Sequence, residues 1–189
     1  MINSLSTKFL ITLSFFLNIT ILQSQKSDIW SDDNFTGLEF RSIGPALMSG
    51  RISDIAIHPE DENTWYVTVG SGNVWKTQNS GITWDPIFDD QASYSIGCVT
   101  IDPNNPEVVW IGTGEDQGGR HFGYGDGIYK SLDGGKNWTN MGLKNSERIS
   151  KIVIHPKNSN IVWVAVQGPL WSSGGQRGLY KTVDGGKNW

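Results

Sequence analysis

Short apolar stretches separated by turn residues follow one another along the chain from residue 51 onward. Three alternating apolar runs end in a residue followed by proline: His58-Pro59, Asp102-Pro103 and His155-Pro156. A polar turn and a second apolar run follow each of them. No segment keeps the spacing of three and four residues that an amphipathic helix requires. Short alternating runs bounded by Gly, Pro, Asn and Asp predict β-strands instead.

These parts recur three times in the same order. The second apolar run of each repeat carries a tryptophan, which we match across the repeats as Trp65, Trp110 and Trp163. Next come a variable loop, a run of an aromatic residue, lysine and a hydroxyl residue, and a glycine-containing turn that ends in tryptophan. Four short strands in a repeat of about fifty residues are typical of a β-propeller blade. We therefore predict an all-β fold, a β-propeller of four-stranded blades with Asp-box turns, with blades at about 51–90, 95–140 and 148–189.

The turn that closes each repeat has the pattern Ser/Thr-x-Asp-x-Gly-x-x-Trp. Its aspartate can accept hydrogen bonds from the N–H groups of its own turn, and its glycine can take a positive φ. Its tryptophan can bury ~200 Å² between neighbouring sheets. We therefore predict a structural role for twelve residues: Thr77, Asn79, Gly81, Trp84, Ser131, Asp133, Gly135, Trp138, Thr182, Asp184, Gly186 and Trp189.

This turn resembles the Asp-box, also called the bacterial neuraminidase repeat, of sialidases, two-propeller xyloglucanases and sortilin-type receptors. The longer strings "RSIGPALMSGRISDIAIHP", "VWKTQNSGITW" and "YGDGIYKSLDGGKNW" are similar to large exported bacterial proteins. Those proteins are labelled as Asp-box glycosyl hydrolases or as carriers of a sortilin N-terminal propeller. Closed propellers have four to eight blades. We therefore expect that the chain is an N-terminal fragment with an incomplete propeller, and that the remaining blades lie C-terminal to Trp189.

The first residues of the chain have a different character. Lys8 precedes an apolar run over 9–22 and a small polar exit, which predicts a signal peptide over 1–25. An uncleaved anchor is the alternative, although the run is shorter than the ~20 residues that span a membrane. We expect a linker and lead-in strand over 26–50, no transmembrane segment beyond the signal peptide, and a secreted, periplasmic or extracellular location.

Charge and cysteine content exclude some classes of function. The net charge is −4 and no run of Lys or Arg occurs, so we do not expect nucleic acid as a partner. Cys98 is the sole cysteine and lies in the apolar run "SIGCVTI", which favours a buried small side chain. No cofactor motif is present and no calcium-loop spacing occurs, so we expect neither a cofactor nor a metal.

Candidate functional residues lie on the variable loops, which in a propeller connect the second and third strands on the face opposite the Asp-box turns. The longest, "TGEDQGGRHFGYGDG" over 113–127, offers three weak catalytic candidates: Glu115, Asp116 and Asp126. The predicted ligand-binding residues on these loops are Arg120, His121, Tyr124, Trp171 and Arg177. Arg51 and Arg148 are predicted to join them from matching places just before the first strand of their repeats.

Three functions stay open at this point. The first is a propeller that binds a peptide or glycan, as the sortilin-type resemblance implies. The second is a glycoside hydrolase, which normally needs two carboxyl groups about 5 Å or 6.5–9.5 Å apart. The resemblance to xyloglucanases implies a catalytic base just before the Gly-Gly-aromatic segment of the first blade, where this chain has Gly70. That difference argues against hydrolysis. The third is a purely structural module.

Overall fold

The computed structural model describes residues 50–116 and 122–189. Within these ranges all the regular elements are β-strands, and no helix there is long and apolar enough to cross a membrane. The predicted signal peptide, the linker, Arg120 and His121 lie outside the described residues.

Three antiparallel sheets follow one another along the chain. The first contains β1 (Ile52–His58), β2 (Asp61–Val69), β3 (Asn73–Thr77) and β4 (Asp85–Pro86), in that order. The second contains β5 (Ile96–Asp102), β6 (Asn105–Thr113), β7 (Ile128–Ser131) and β8 (Thr139–Asn140). The third has the order β11-β10-β9, from β9 (Ile149–His155), β10 (Asn158–Val166) and β11 (Gly178–Thr182). The predicted all-β fold of successive blades is confirmed, and we call the sheets blades 1, 2 and 3.

The blades pack face to face, and blade 2 is covered on both sides. Along β6, Val109 and Ile111 belong to the core shared with blade 1, whereas Val108 and Trp110 belong to the core shared with blade 3. This division arises because successive side chains of a strand point to opposite faces. Burial on both faces explains why β6 reads as a continuous apolar run rather than an alternating one.

The tryptophans of the three repeats do not all occupy the same place, so the match of Trp65 with Trp110 and Trp163 is wrong. In each blade one aromatic residue of the second strand pairs with the lysine of the third: Tyr66 with Lys76, Trp110 with Lys130, and Trp163 with Lys181. Tyr66 therefore takes the shared position. Trp65 lies one residue away and points to the opposite face of its sheet.

The residue before each proline holds the turn between the first two strands. His58 Nδ1 accepts a hydrogen bond from the Glu60 N–H at 3.2 Å, and Asp102 Oδ1 accepts one from the Asn104 N–H at 2.8 Å. His155 Nδ1 does the same for the Lys157 N–H at 3.1 Å. Histidine and aspartate share this position because each offers an acceptor two residues before the N–H.

Candidate functional site

The Asp-box turns hold their aspartates within the turn itself. Asp133 Oδ1 accepts the Ser131 hydroxyl at 2.8 Å and the Asn137 N–H at 2.9 Å, and Oδ2 accepts Asn137 Nδ2 at 2.6 Å. The Asn137 side chain, followed by its backbone N–H and Ser131, lowers the pKa of Asp133 to about 2. The Ser131 oxygen also accepts the Gly135 N–H at 2.8 Å. The donors that bond to Asp133 and Ser131 thus all belong to one turn.

The other two turns repeat this network. In the third, Asp184 Oδ1 accepts the Thr182 hydroxyl at 2.7 Å, and the Gly186 N–H bonds to the Thr182 oxygen at 3.0 Å. Hydrogen bonds from Thr182 and then Asn188 lower the pKa of Asp184. In the first turn the amide oxygen of Asn79 accepts the Thr77 hydroxyl at 3.0 Å. An amide therefore serves where the other turns have a carboxylate.

The Asp-box turns of blades 2 and 3 also fasten their blades to the preceding one. Trp138 Nε1 donates to the Ile87 carbonyl at 2.7 Å, and Trp189 Nε1 donates to the Met141 carbonyl at 2.8 Å. The lysine of the preceding third strand donates to a turn glycine: Lys76 to the Gly134 carbonyl at 2.9 Å and Lys130 to the Gly185 carbonyl at 3.3 Å. We call this pair of contacts the blade latch.

The opposite face, which we call the loop face, is formed in the described residues by the connections at 70–72, 87–95, 114–116, 122–127, 141–148 and 167–177. It contains the predicted carboxylate Glu115, whose side chain is fully buried. Arg51 Nε and Nη2 both donate to Glu115 Oε1, whereas Oε2 is buried without a hydrogen-bond partner. Arg51 therefore links blade 1 to the long loop of blade 2.

Gly70 lies directly against this carboxyl group. A Cβ at position 70 would be 2.8 Å from Glu115 Cδ, closer than real Cβ contacts allow. The neighbouring Ser95 hydroxyl donates to the Gly70 carbonyl at 2.5 Å and accepts the Glu115 N–H at 3.1 Å. The resemblance to xyloglucanases implied a catalytic base at the position that Gly70 occupies. In this chain the carboxyl group of Glu115 fills the space beside that position.

The other two carboxylates of the long loop differ in their surroundings. Asp126 Oδ2 accepts the Tyr129 hydroxyl at 2.6 Å, and Asp126 is half-buried. Burial, followed by this hydrogen bond, raises the pKa of Tyr129. Asp116 is half-buried as well. Among residues 50–116 and 122–189, no cluster of three or more His, Cys, Asp or Glu side chains is placed to hold a metal ion.

The described arginines of the loop face make contacts within the protein. Arg148 is buried, donates from Nε to the Gly168 carbonyl at 2.9 Å and lies over the Phe122 ring at 5.3 Å. Arg177 donates from Nη2 to the Pro169 carbonyl at 2.5 Å and so closes the third loop on itself. Together with Arg51, these side chains hold the loops in place.

Three aromatic side chains are exposed on the described part of the loop face. Trp171 is 72% exposed at the tip of the third loop, and Tyr124 and Tyr94 are more than half exposed. Tyr94 was not predicted, because it lies on the connection between blades 1 and 2 and the equivalent residue before Arg148 is Glu147. The Ser93 hydroxyl donates to the Tyr124 carbonyl at 3.2 Å, which brings the two tyrosine-bearing segments together.

Comparison with known sequences gives one distant relative for this fold. The chain is 23% identical over 208 residues to a probable oligoxyloglucan-reducing end-specific xyloglucanase of Neosartorya fischeri. The match covers 80% of this chain and 24% of that protein, so the chain spans about a quarter of its relative. No family model matches the sequence.

Comparison with solved structures identifies the fold. An ancestral GH74 enzyme is 19% identical with a TM-score of 0.56 over 74% of this chain and 18% of its own. The GH74 enzyme of Niastella koreensis is 27% identical with a TM-score of 0.51 over 67% and 19%. YCF48 bound to D1 peptide is 18% identical with a TM-score of 0.51 over 73% and 39%. The chain therefore shares the Asp-box β-propeller fold of GH74 xyloglucanases and YCF48.

Proposed function

We propose that this chain is a binding module that holds an uncharged ligand, a glycan or a peptide segment, on its loop face. Trp171, Tyr124 and Tyr94 supply the contact surface. Aromatic rings stack on sugar rings and on apolar peptide side chains alike, and they bury a large area with few rotatable bonds.

The presentation of Trp171 is the observation that carries this proposal. The indole is 72% exposed although its loop is tied down at both ends. Arg177 bonds to the Pro169 carbonyl, and Gln176 Oε1 accepts the Asn145 N–H at 2.9 Å from the connection between blades 2 and 3. A large apolar side chain held in water by a fixed loop loses little conformational entropy when a ligand covers it.

That the ligand is uncharged is inferred from the partners of the described arginines. Arg51 and Glu115 neutralise each other, while Arg148 and Arg177 donate to backbone carbonyls. Recognition of a carboxylate or phosphate usually needs an arginine fork aimed at the ligand. The described part of this face offers its arginines to the protein, which supports an uncharged ligand.

The relatives are compatible with either ligand class. The Neosartorya fischeri protein is named for action on oligoxyloglucan, and YCF48 was solved with a bound D1 peptide. The chain matches only part of each of these proteins, so their ligands guide the choice of probes.

A binding panel tests this function. The chain is titrated by isothermal calorimetry with xyloglucan oligosaccharides, with polygalacturonate oligosaccharides as the charged control, and with neutral and acidic peptides. We expect saturable binding of an uncharged ligand that changes little between low and high salt, because no counter-ions are released. Binding only of an acidic ligand, with an affinity that falls as salt rises, would contradict the proposal.

Glycoside hydrolysis is a second candidate because the Glu115 carboxyl group lies beside Gly70. This function needs Glu115 to act as an acid or base, although its side chain is buried and paired with Arg51. The test compares the wild-type chain with Glu115→Gln on xyloglucan oligosaccharides by release of reducing ends. Release that disappears in the variant would support catalysis. No release from the wild-type chain would count against hydrolysis by this segment.

A further inference from the structure

Two exposed tyrosines lie on neighbouring backbone segments of the loop face, and we call Tyr94 and Tyr124 the tyrosine pair. They are 59% and 60% exposed. The residues on either side of Tyr94 are nevertheless buried, with Ser93 4% exposed and Ser95 fully buried. Tyr94 is thus a large aromatic side chain in water on a segment whose other side chains are anchored in the protein.

The two segments of the tyrosine pair are in close contact. Gly123 precedes Tyr124, and a Cβ at position 123 would lie 2.4 Å from the Ser95 Cβ, which leaves no room for a side chain there. The Gly123 carbonyl accepts the Glu115 N–H at 3.1 Å. Glycine at position 123 therefore allows the segment of Tyr124 to lie directly against the segment of Tyr94.

The Ser93 hydroxyl joins these two segments. Its single hydrogen is shared between the Ser95 carbonyl at 3.1 Å and the Tyr124 carbonyl at 3.2 Å. The Ser95 carbonyl also accepts the Gly114 N–H at 2.7 Å. Loss of the Ser93 hydroxyl therefore leaves the Ser95 carbonyl with a donor but removes this donor from the Tyr124 carbonyl.

Other backbone bonds fix each tyrosine to a different part of the protein. The Asn73 N–H of blade 1 donates to the Tyr94 carbonyl at 2.9 Å. The Gly125 N–H donates to the Glu147 carbonyl, on the connection before blade 3, at 2.7 Å. The bond from Ser93 to the Tyr124 carbonyl therefore links a segment held by blade 1 to a segment held near blade 3.

We propose that Ser93 is a positioning residue of the loop face, whose hydroxyl holds Tyr124 beside Tyr94 so that the tyrosine pair contacts the ligand as one surface. This inference rests on the proposed function. It adds a second contact region, at the junction of blades 1 and 2, to the third loop that carries Trp171. Rings on a fixed backbone lose little conformational entropy when a ligand covers them, so a looser Tyr124 should bind less well.

NMR of the unliganded chain labelled with 3-fluorotyrosine tests the positioning role without a ligand. The chain has five tyrosines, and tyrosine-to-phenylalanine variants assign their resonances. We expect Ser93→Ala to shift and broaden the Tyr124 resonance. The resonance of Tyr66, which is buried between blades 1 and 2, should not change and reports that the fold is intact.

Calorimetric titration with the xyloglucan oligosaccharides and neutral peptides of the binding panel tests the role in binding. We expect Ser93→Ala to lower the affinity about fivefold, which corresponds to the ~1 kcal/mol of one hydrogen bond. Ser150→Ala is the matched control, because the Ser150 hydroxyl donates to the Ala165 carbonyl at 3.3 Å within the sheet of blade 3. It should leave the affinity unchanged.

A double-mutant cycle separates positioning from a purely structural role. Tyr94→Ala and Tyr124→Ala change exposed side chains and should each lower the affinity without unfolding the chain. Ser93→Ala added to Tyr124→Ala should lower the affinity no further, because Ser93 acts on the ligand through the Tyr124 ring. Its cost in stability should be the same in both backgrounds, since the bond is to the Tyr124 backbone.

The results that would overturn the proposal are distinct from failure of the proposed function. An unchanged Tyr124 resonance in Ser93→Ala would exclude the positioning role whether or not a ligand binds. A panel ligand that binds Ser93→Ala or Tyr124→Ala with full affinity would exclude the tyrosine pair from the site, while binding through Trp171 would stand. A changed resonance in a chain that binds no panel ligand would contradict the proposed function, and with it the role of the pair in binding.

Discussion

The Asp-box turns and the loop face lie at opposite ends of the same strands, yet they use polar residues in different ways. In the turns, each carboxylate or amide accepts hydrogen bonds from its own turn, and the pattern is the same three times. On the loop face, each arginine has a different partner: a buried carboxylate for Arg51, a loop carbonyl for Arg148 and Arg177. The repeated turns therefore serve packing between blades. The loop face, whose contacts are not repeated, is the one that presents exposed aromatic rings.

Replacement of one glycine on each face by alanine should give the largest difference in stability between the two faces. Gly186 has φ of +96°, and a Cβ there would lie 2.6 Å from the Trp110 ring. Gly174, on the third loop, has φ of +91° with nothing within 4 Å. We expect Gly186→Ala to lower the free energy of unfolding by about 3 kcal/mol, from strain and overpacking. Gly174→Ala, the control, should cost about 1 kcal/mol from strain alone. Urea unfolding measures both, and equal losses would contradict the comparison.

Removal of Arg51 should show that this loop-face cation stabilises the fold. Arg51→Met leaves the buried Glu115 carboxylate without its partner. Breaking a buried pair costs about 3–5 kcal/mol, and we expect about 2 kcal/mol because half of the Arg51 side chain is in water. Thermal unfolding measures the loss, and adding Glu115→Gln should restore part of it. An unchanged stability together with lost ligand binding would assign Arg51 to the ligand instead.

The blade latch should contribute a smaller amount to the free energy of unfolding. Trp138→Phe keeps an aromatic ring between blades 1 and 2 but removes the hydrogen bond from Nε1 to the Ile87 carbonyl. We expect a loss of about 1 kcal/mol in the free energy of unfolding, since the Ile87 carbonyl loses its donor. Trp171→Phe on the loop face is the matched control and should leave stability unchanged. A similar loss in both variants would mean that the indole hydrogen bond contributes nothing.

The pH dependence of the Asp-box turns should be the smallest effect. The pKa of Asp133 is lowered from 3.8 to about 2 in the folded chain. A lowered folded-state pKa means that its stabilisation is complete above about pH 4 and is lost as pH falls toward 2. Asp133→Asn should remove this dependence, since Asn79 fills the position in blade 1. Thermal unfolding of both proteins between pH 5 and 2 checks this, and parallel profiles would contradict it.

The sequence predicted the repeated parts of this structure and missed the parts that depend on tertiary contacts. The Asp-box turns were predictable because the same residue types recur at the same spacing. Trp65 was matched wrongly because the repeats were aligned on tryptophan and not on spacing. Tyr66 stands at the same distance from its proline turn as Trp110 does from its own. The pairing of Arg51 with Glu115 joins residues 64 positions apart, which no local pattern reveals.

The candidate binding surface was predicted only in part. Trp171 and Tyr124 were identified because they stand out on glycine-rich loops. Tyr94 was missed because it lies on a connection without a matching residue in the next repeat. Arg148 bonds to the Gly168 carbonyl within blade 3, but its contact with Phe122 arises only when blades 2 and 3 pack together.

The most direct test of a ligand site on the loop face is the affinity of Trp171→Ala for the ligand that the binding panel identifies. Leu132→Ala, an equally exposed apolar change on the opposite face, is the matched control. We expect at least about a fivefold loss of affinity for Trp171→Ala, since loss of a central tryptophan contact typically costs more than 1 kcal/mol. We also expect unchanged stability for Trp171→Ala and unchanged affinity for the control. Full affinity in Trp171→Ala, or an equal loss in Leu132→Ala, would contradict a ligand site on the loop face.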